Sequence, residues 1–235
     1  MNSWIKRAVL LLLALIILLG VSACMKKKPD PEAIKAEMME HLEKKYGEEF
    51  VPLSLTLSGF AYSYDQLRAY PKSGSEQDAF DIWGTRMKDG TYSIRDGYFG
   101  IYIRPQYEEM MSRFAQEIYK DSKVFVSFGE GVFPDRLTKA TKLEEIYREG
   151  ETFNSDSVIF VKESSAAGKD DEASLNQIAK RMIQHKMVGD VRLYVVKDSK
   201  FDDINMAALS AKDTGEYFVR DYKIIMISNN LEILE

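Results

Sequence analysis

The feature that most constrains this chain is its start. Lys6 and Arg7 precede a run from Ala8 to Ala23 without a charged residue, which closes on the small residues Ser22-Ala23. Cys24, the only cysteine of 235 residues, follows at once. The order positive, apolar, small is that of a secretory signal peptide. The run is short against the roughly 20 residues a spanning helix needs, and a lone thiol can make no internal disulfide. Residues 1–23 therefore read as a leader to be removed, and the fold must come from the residues after it.

Val21-Ser22-Ala23-Cys24 resembles the lipobox of bacterial lipoproteins, with valine where leucine is commoner. The resemblance implies a diacylglyceryl group on the Cys24 sulfur and often a further acyl chain, palmitate or similar, on its new amine. Two or more chains, at about 0.8 kcal/mol per buried methylene, give lasting membrane residence. Residues 24–31 would then be anchor and tether, facing outward from the cell membrane. From Met25 to Pro31 the tether reaches some 25 Å at most. Lys26-Lys27-Lys28 within it could lie on anionic headgroups.

Composition supports a folded body, at 45% hydrophobic and 11% aromatic. Losing Lys6 and Arg7 with the leader moves the formal net charge from -5 to -7. Such a balance argues against nucleic acid, whose binding rests on phosphate neutralisation.

Asp30 and Pro31 form a helix start, as N-cap and first helical residue. Ile34, Met38, Leu42 and Tyr46 follow at helical spacing up to Gly47. The period then changes, Val51, Leu53, Leu55 and Leu57 alternating with polar residues as in a half-buried strand. Asp65 to Gln77 reads as a polar loop. Ala79–Met87 and Tyr92–Arg104 read as strands joined through Lys88-Asp89-Gly90, a hairpin signal. Tyr107, Met110, Met111, Phe114 and Ile118 give a second helical stripe.

After a boundary near Lys120 to Lys123 the pattern alternates. Strands are expected at Val124–Phe128, Ser157–Val161, Val191–Val196 and Tyr217–Ser228, with helices at Leu137–Arg148, from Ser174, and at Phe201–Ala211. Ser174 and Gln177 offer a capping box, and Ser164–Ala173 reads as a flexible tip. The expected class is α+β: an N-terminal helix over an antiparallel meander in residues 32–121, cystatin-like or NTF2-like by analogy, then a mixed α/β subdomain in 122–235.

Motifs for catalysis are absent from the expected body. There is no Gly-x-Ser-x-Gly, and the Ser-x-x-Lys of Ser3 and Lys6 falls in the leader. His41 and His185 stand alone in separate expected helices, so no metal set is expected. Gly129-Glu130-Gly131 lacks the third glycine of a dinucleotide site and reads as a turn. The adjacent pairs Glu108-Glu109, Glu144-Glu145, Asp170-Asp171 and Asp202-Asp203 point apart on a helix and read as solvated faces. No catalytic, cofactor-binding or metal residue is assigned.

Aromatic side chains remain as a possible interaction surface: Phe60, Tyr62, Tyr64 and Tyr70 after the first strand, Tyr98 and Tyr102 in the hairpin. The expectation is a lipid-anchored extracytoplasmic protein with a non-catalytic binding or scaffold role toward an envelope protein or glycan, similar to uncharacterised lipoproteins of Gram-positive bacteria. The alternatives are an envelope hydrolase using dispersed carboxylates and an accessory subunit of a secretion or conjugation assembly.

Overall fold

Helix α1, Pro31–Tyr46, begins where Asp30 accepts the Glu32 N–H at 3.1 Å. Its stripe is buried at Ile34, Met38, Leu42 and Tyr46. The computed structural model describes residues 30–129 and 131–234. Glu37–Glu235 pack as one compact unit. The expected leader, Cys24 and Lys26-Lys27-Lys28 lie outside the described residues.

Four antiparallel strands follow in the order β1 (Phe50–Thr56), β2 (Asp65–Pro71), β3 (Phe80–Arg86) and β4 (Tyr92–Asp96). Strand β2 corrects the loop expected over 65–77. It turns Leu67, Ala69 and Pro71 inward and leaves Arg68 exposed. In β1 the register slips between Pro52 and Ser54, so Leu53 is an extra residue and is exposed. Phe50 and Leu55, opposite the inward Pro71 and Leu67, therefore share a face, and the expected alternation from Val51 to Leu57 breaks. The β3–β4 hairpin turns as expected, with Asp89 accepting the Thr91 N–H at 3.0 Å. An N-terminal helix followed by an antiparallel meander is thus the arrangement of the first half.

The strand expected to run to Arg104 ends at Asp96. Helix α2, Tyr98–Gln116, takes over and runs through Pro105. Its first residue joins the aromatic cluster of Tyr46, Phe50 and Phe80 under the meander. The rest of its buried face, from Phe99 through Phe114, belongs to a second core.

That core lies beside a five-stranded sheet ordered β5 (Ser122–Ser127), β6 (Asp156–Lys162), β7 (Gly189–Val196), β8 (Lys223–Ile227) and β9 (Ile233–Leu234). Pairing is antiparallel except between β6 and β7. A parallel pair needs a crossover, and residues 163–188 supply it with helices α4 (Glu163–Ala166) and α5 (Asp171–Gln184), numbered after the single turn α3 (Leu143–Ile146). Leu175, Ile178 and Met182 of α5 meet α2 and the sheet in one core. On the other sheet face Phe201, Ile204 and Phe218 cover Val158, Phe160 and Tyr194.

Several local expectations are corrected. Asp170, not Ser174, caps α5 by accepting the Glu172 and Ala173 N–H groups at 2.9 and 3.0 Å. The expected flexible tip at 164–173 thus carries α4 and the start of α5. The helix expected over Leu137–Arg148 shrinks to α3, because Thr138 and Thr141 hydroxyls take backbone N–H groups. Phe201–Ala211 is a 3₁₀ turn at Met206–Ser210 capped by Asn205. The long final strand reduces to β8, preceded by a lone bridge from Phe218 to Val196.

Candidate functional site

The joint between the two sheets forms a cleft of about 290 Å³. Gly97 at the N-cap of α2 and Gly100, Ile101 and Arg104 on its first turns line one wall, at i, i+3, i+4 and i+7. Gln66 and Arg68 of β2 and Asp81 of β3 line another, and Phe128 and Phe133 close it.

Sequence dictates this closure locally. A Cβ on Gly97 would lie 2.5 Å from the Gly131 carbonyl oxygen, and one on Gly100 would lie 2.8 Å from the Phe133 ring. Phe128, Gly131 and Phe133 can therefore rest directly on the backbone at Gly97 and Gly100. The Phe133 N–H donates to the Asp96 carbonyl at 2.9 Å, and Arg95 Nε donates to the Phe133 carbonyl at 3.3 Å.

Among the described residues, the cleft's charges are two guanidinium groups and two carboxylates. Asp78 is engaged locally, accepting the Ser75 N–H at 3.0 Å. Asp81 stands 3.7 Å from Arg68 Nε, an ion pair without a hydrogen bond. Arg104 Nε is buried and has no hydrogen-bond partner among the described residues. An arginine guanidinium is a planar donor fork suited to a carboxylate or phosphate. The described lining includes no hydroxyl, thiol or imidazole side chain.

A second polar cluster joins α1, the end of β4 and Asp135. His41, Asp96 and Asp135 place ligand atoms within 4.8 Å of one another. The space between the carboxylates is filled by Lys45 Nζ, 2.8 Å from Asp96 and 2.9 Å from Asp135. Asp96 also accepts the Tyr46 hydroxyl at 2.7 Å and the Tyr98 N–H at 3.1 Å. Burial first, then the Asp96 charge and hydrogen bond, hold the Tyr46 phenol far above its ordinary pKa. This is an ion-pair network tying α1 to the start of α2, with its cation supplied by the chain.

The aromatics singled out in the sequence separate. Phe60 and Tyr62 are exposed on the β1–β2 loop. Tyr62 packs on Tyr64 at 5.5 Å, and Tyr64 stacks on Trp83 at 4.5 Å, a partner the sequence reading missed. Its signal was phase: Ile82 and Gly84 point inward, so Trp83 points out. Tyr70 is half-buried in β2, and Tyr98 belongs to the core. Tyr102 donates its hydroxyl to the Lys139 carbonyl at 3.1 Å. The adjacent acidic pairs are mostly held singly: Glu108 accepts the Val126 N–H at 2.9 Å, Glu109 pairs with Arg113, and Asp171 with Arg220.

Among the described residues no helix is long and apolar enough to cross a membrane. No family model matches the chain, and no curated protein matches it. One similar solved structure is a DUF5037 family protein from Ruminococcus gnavus, with 14% identity and a TM-score of 0.41 over 83% of this chain and 91% of that one.

Proposed function

We propose that this chain is a lipid-anchored protein of the cell envelope, facing outward, whose body binds a small anionic ligand without transforming it. The anchor is carried by Val21-Ser22-Ala23-Cys24 behind its apolar run. Binding is supported by Arg104, whose buried Nε faces no acceptor among the described residues in a cleft that Arg68 also lines. The carboxylates there are engaged by Ser75 and Arg68, which favours holding a ligand over acid–base work.

Intact mass and membrane partition of the native protein beside Cys24→Ala test the anchor. A mass starting at Cys24 with acyl chains added, and a variant lost from the membrane, are expected. An unlipidated chain retaining Met1 overturns the reading. For the cleft, thermal stabilisation by acetate, citrate and phosphate is compared in native protein and Arg104→Gln. Stabilisation lost in the variant is expected, and equal response overturns the site.

A second reading, an accessory subunit of an envelope assembly, is favoured by the exposed apolar strip of Tyr222, Ile224 and Met226 with Leu234 opposite Met226. Detergent co-purification of a membrane partner, lost in Ile224→Ser/Met226→Ser, would support it.

A further inference from the structure

The compact body begins at Glu37, directly before Met38. The Met38 methyl lies 2.5 Å from where a Cβ on Gly84 would stand. Gly84 is in register with Asp65 at the first residue of β2. The Asp65 carboxylate in turn accepts the Ser58 N–H at 2.7 Å and the Tyr92 hydroxyl at 2.8 Å. These contacts put three features at one end of the meander: the point where the chain enters the body, the β1–β2 loop and the β3–β4 turn.

That end carries an unusual set of side chains. Phe60 is wholly exposed at the loop, and Tyr62 follows it half exposed. On the turn, Met87 is half exposed between the exposed basic residues Arg86 and Lys88. Beside the loop, Tyr64 and Trp83 stack in a layer with Tyr62. An exposed phenylalanine at one tip, a methionine between two cations at the other, and tyrosine and tryptophan behind them suit a surface that sits in the headgroup region of a bilayer.

We infer that this end of the meander is a lipid-contact edge: Phe60 and Met87 enter the boundary between headgroups and acyl chains, and Arg86 and Lys88 meet anionic headgroups. The inference rests on the anchor proposed above. Only 12 residues separate Cys24 from Glu37, so a lipid on Cys24 would keep Glu37 within about 45 Å of the bilayer. Lys26-Lys27-Lys28 in that interval add charge of the same sign. A glycan platform would use the flat Tyr64–Trp83 face and would leave Phe60 and Met87 without a role.

Cys24 is the only cysteine, and lipidation blocks it, so a second cysteine can be labelled alone. The lipidated full protein carrying Phe60→Cys, and separately Lys212→Cys on the segment covering the second sheet, is labelled with a nitrobenzoxadiazole dye. Each is reconstituted in phosphatidylglycerol–phosphatidylcholine vesicles. Expected are a blue-shifted emission at position 60 and several-fold stronger quenching by brominated lipid there than at 212. Met87→Cys should behave like Phe60→Cys. Mass and vesicle flotation are read on the same samples. Acylated protein that floats while position 60 stays as aqueous as 212 overturns the lipid-contact edge and leaves the anchor standing. Protein without acyl chains overturns both.

Discussion

The Lys45 ammonium lies 2.8 Å from the Asp96 carboxylate, with both side chains withdrawn from solvent. Breaking such a pair by removing one partner leaves an uncompensated buried charge, at about 3–5 kcal/mol. Lys45→Met should cost about that much in denaturant unfolding. Lys45→Met/Asp96→Asn should cost clearly less than the two single losses added, because the stranded charge is gone. Additive losses would show that the pair is not coupled.

His41 sits beside that pair with its Nε2 3.6 Å from Asp135. Burial lowers its pKa below 6.5, Lys45 and Lys44 adding to the effect, while Asp135 and Asp96 oppose it. A depressed folded pKa means the unfolded chain binds the proton more readily. Native protein should therefore lose stability as pH falls from about 6.5 toward the folded pKa, and keep it fully above. Unfolding midpoints measured from pH 7.5 to 5 should fall less in His41→Gln than in the native chain.

Asp190 of β7 is in register with Asp156 of β6. Its Oδ1 is buried without a hydrogen-bond partner among the described residues. Burial, then the Asp156 charge, raise its pKa against the opposing pull of Arg192. Here the sign reverses: ionising Asp190 costs more in the folded state, so its penalty grows as pH rises through the carboxylate range and then stays. Asp190→Asn should stabilise the protein at pH 7, because the amide carries no charge to desolvate. The gain should vanish near pH 3, and a loss at pH 7 would contradict it.

Gly189 opens β7 at φ +130, and a Cβ there would collide with the Ser155 backbone. Gly150 also has positive φ, +79, but open space around it. Gly189→Ala should cost more than the about 1–3 kcal/mol of backbone strain alone, whereas Gly150→Ala should show the strain only. Equal costs in chemical denaturation would show that the Ser155 contact relaxes.

Much of the fold was legible where neighbours along the chain decide conformation. The α1 stripe, the Asp30-Pro31 start and the Asp89-Gly90 turn are local chemistry, and each appears where the sequence puts it. Strand β2 was hidden because its outward residues are Gln66 and Arg68 and its first inward one is Asp65, a buried carboxylate satisfied from Ser58 and Tyr92. Tyr98–Arg104 is rich in β-prone residues and ends at Pro105, so it read as a strand meeting a break. It is helical because Tyr98, Phe99 and Ile103 each find a buried place on helical spacing, one in the aromatic cluster and two in the second core. That burial outweighs local preference and the one hydrogen bond that Pro105 removes.

The cleft was not legible at all. Arg68 sat in the expected loop, Arg104 at the end of an expected strand and Gly129–Gly131 in a turn. Only the approach of Phe128, Gly131 and Phe133 to backbone bare of side chains at Gly97 and Gly100 brings them to one place.

By itself the sequence determined the elements with strong periodicity or capping chemistry, the acidic folded body, and the lipobox-like segment on which the anchor proposal stands. Tertiary structure decided which strands pair, where the β1 bulge reverses the pleat, and that α2 serves both sheets. It also decided that two distant arginines share one cleft. Those outcomes depend on contacts between residues far apart in the chain, whose energies no local window contains.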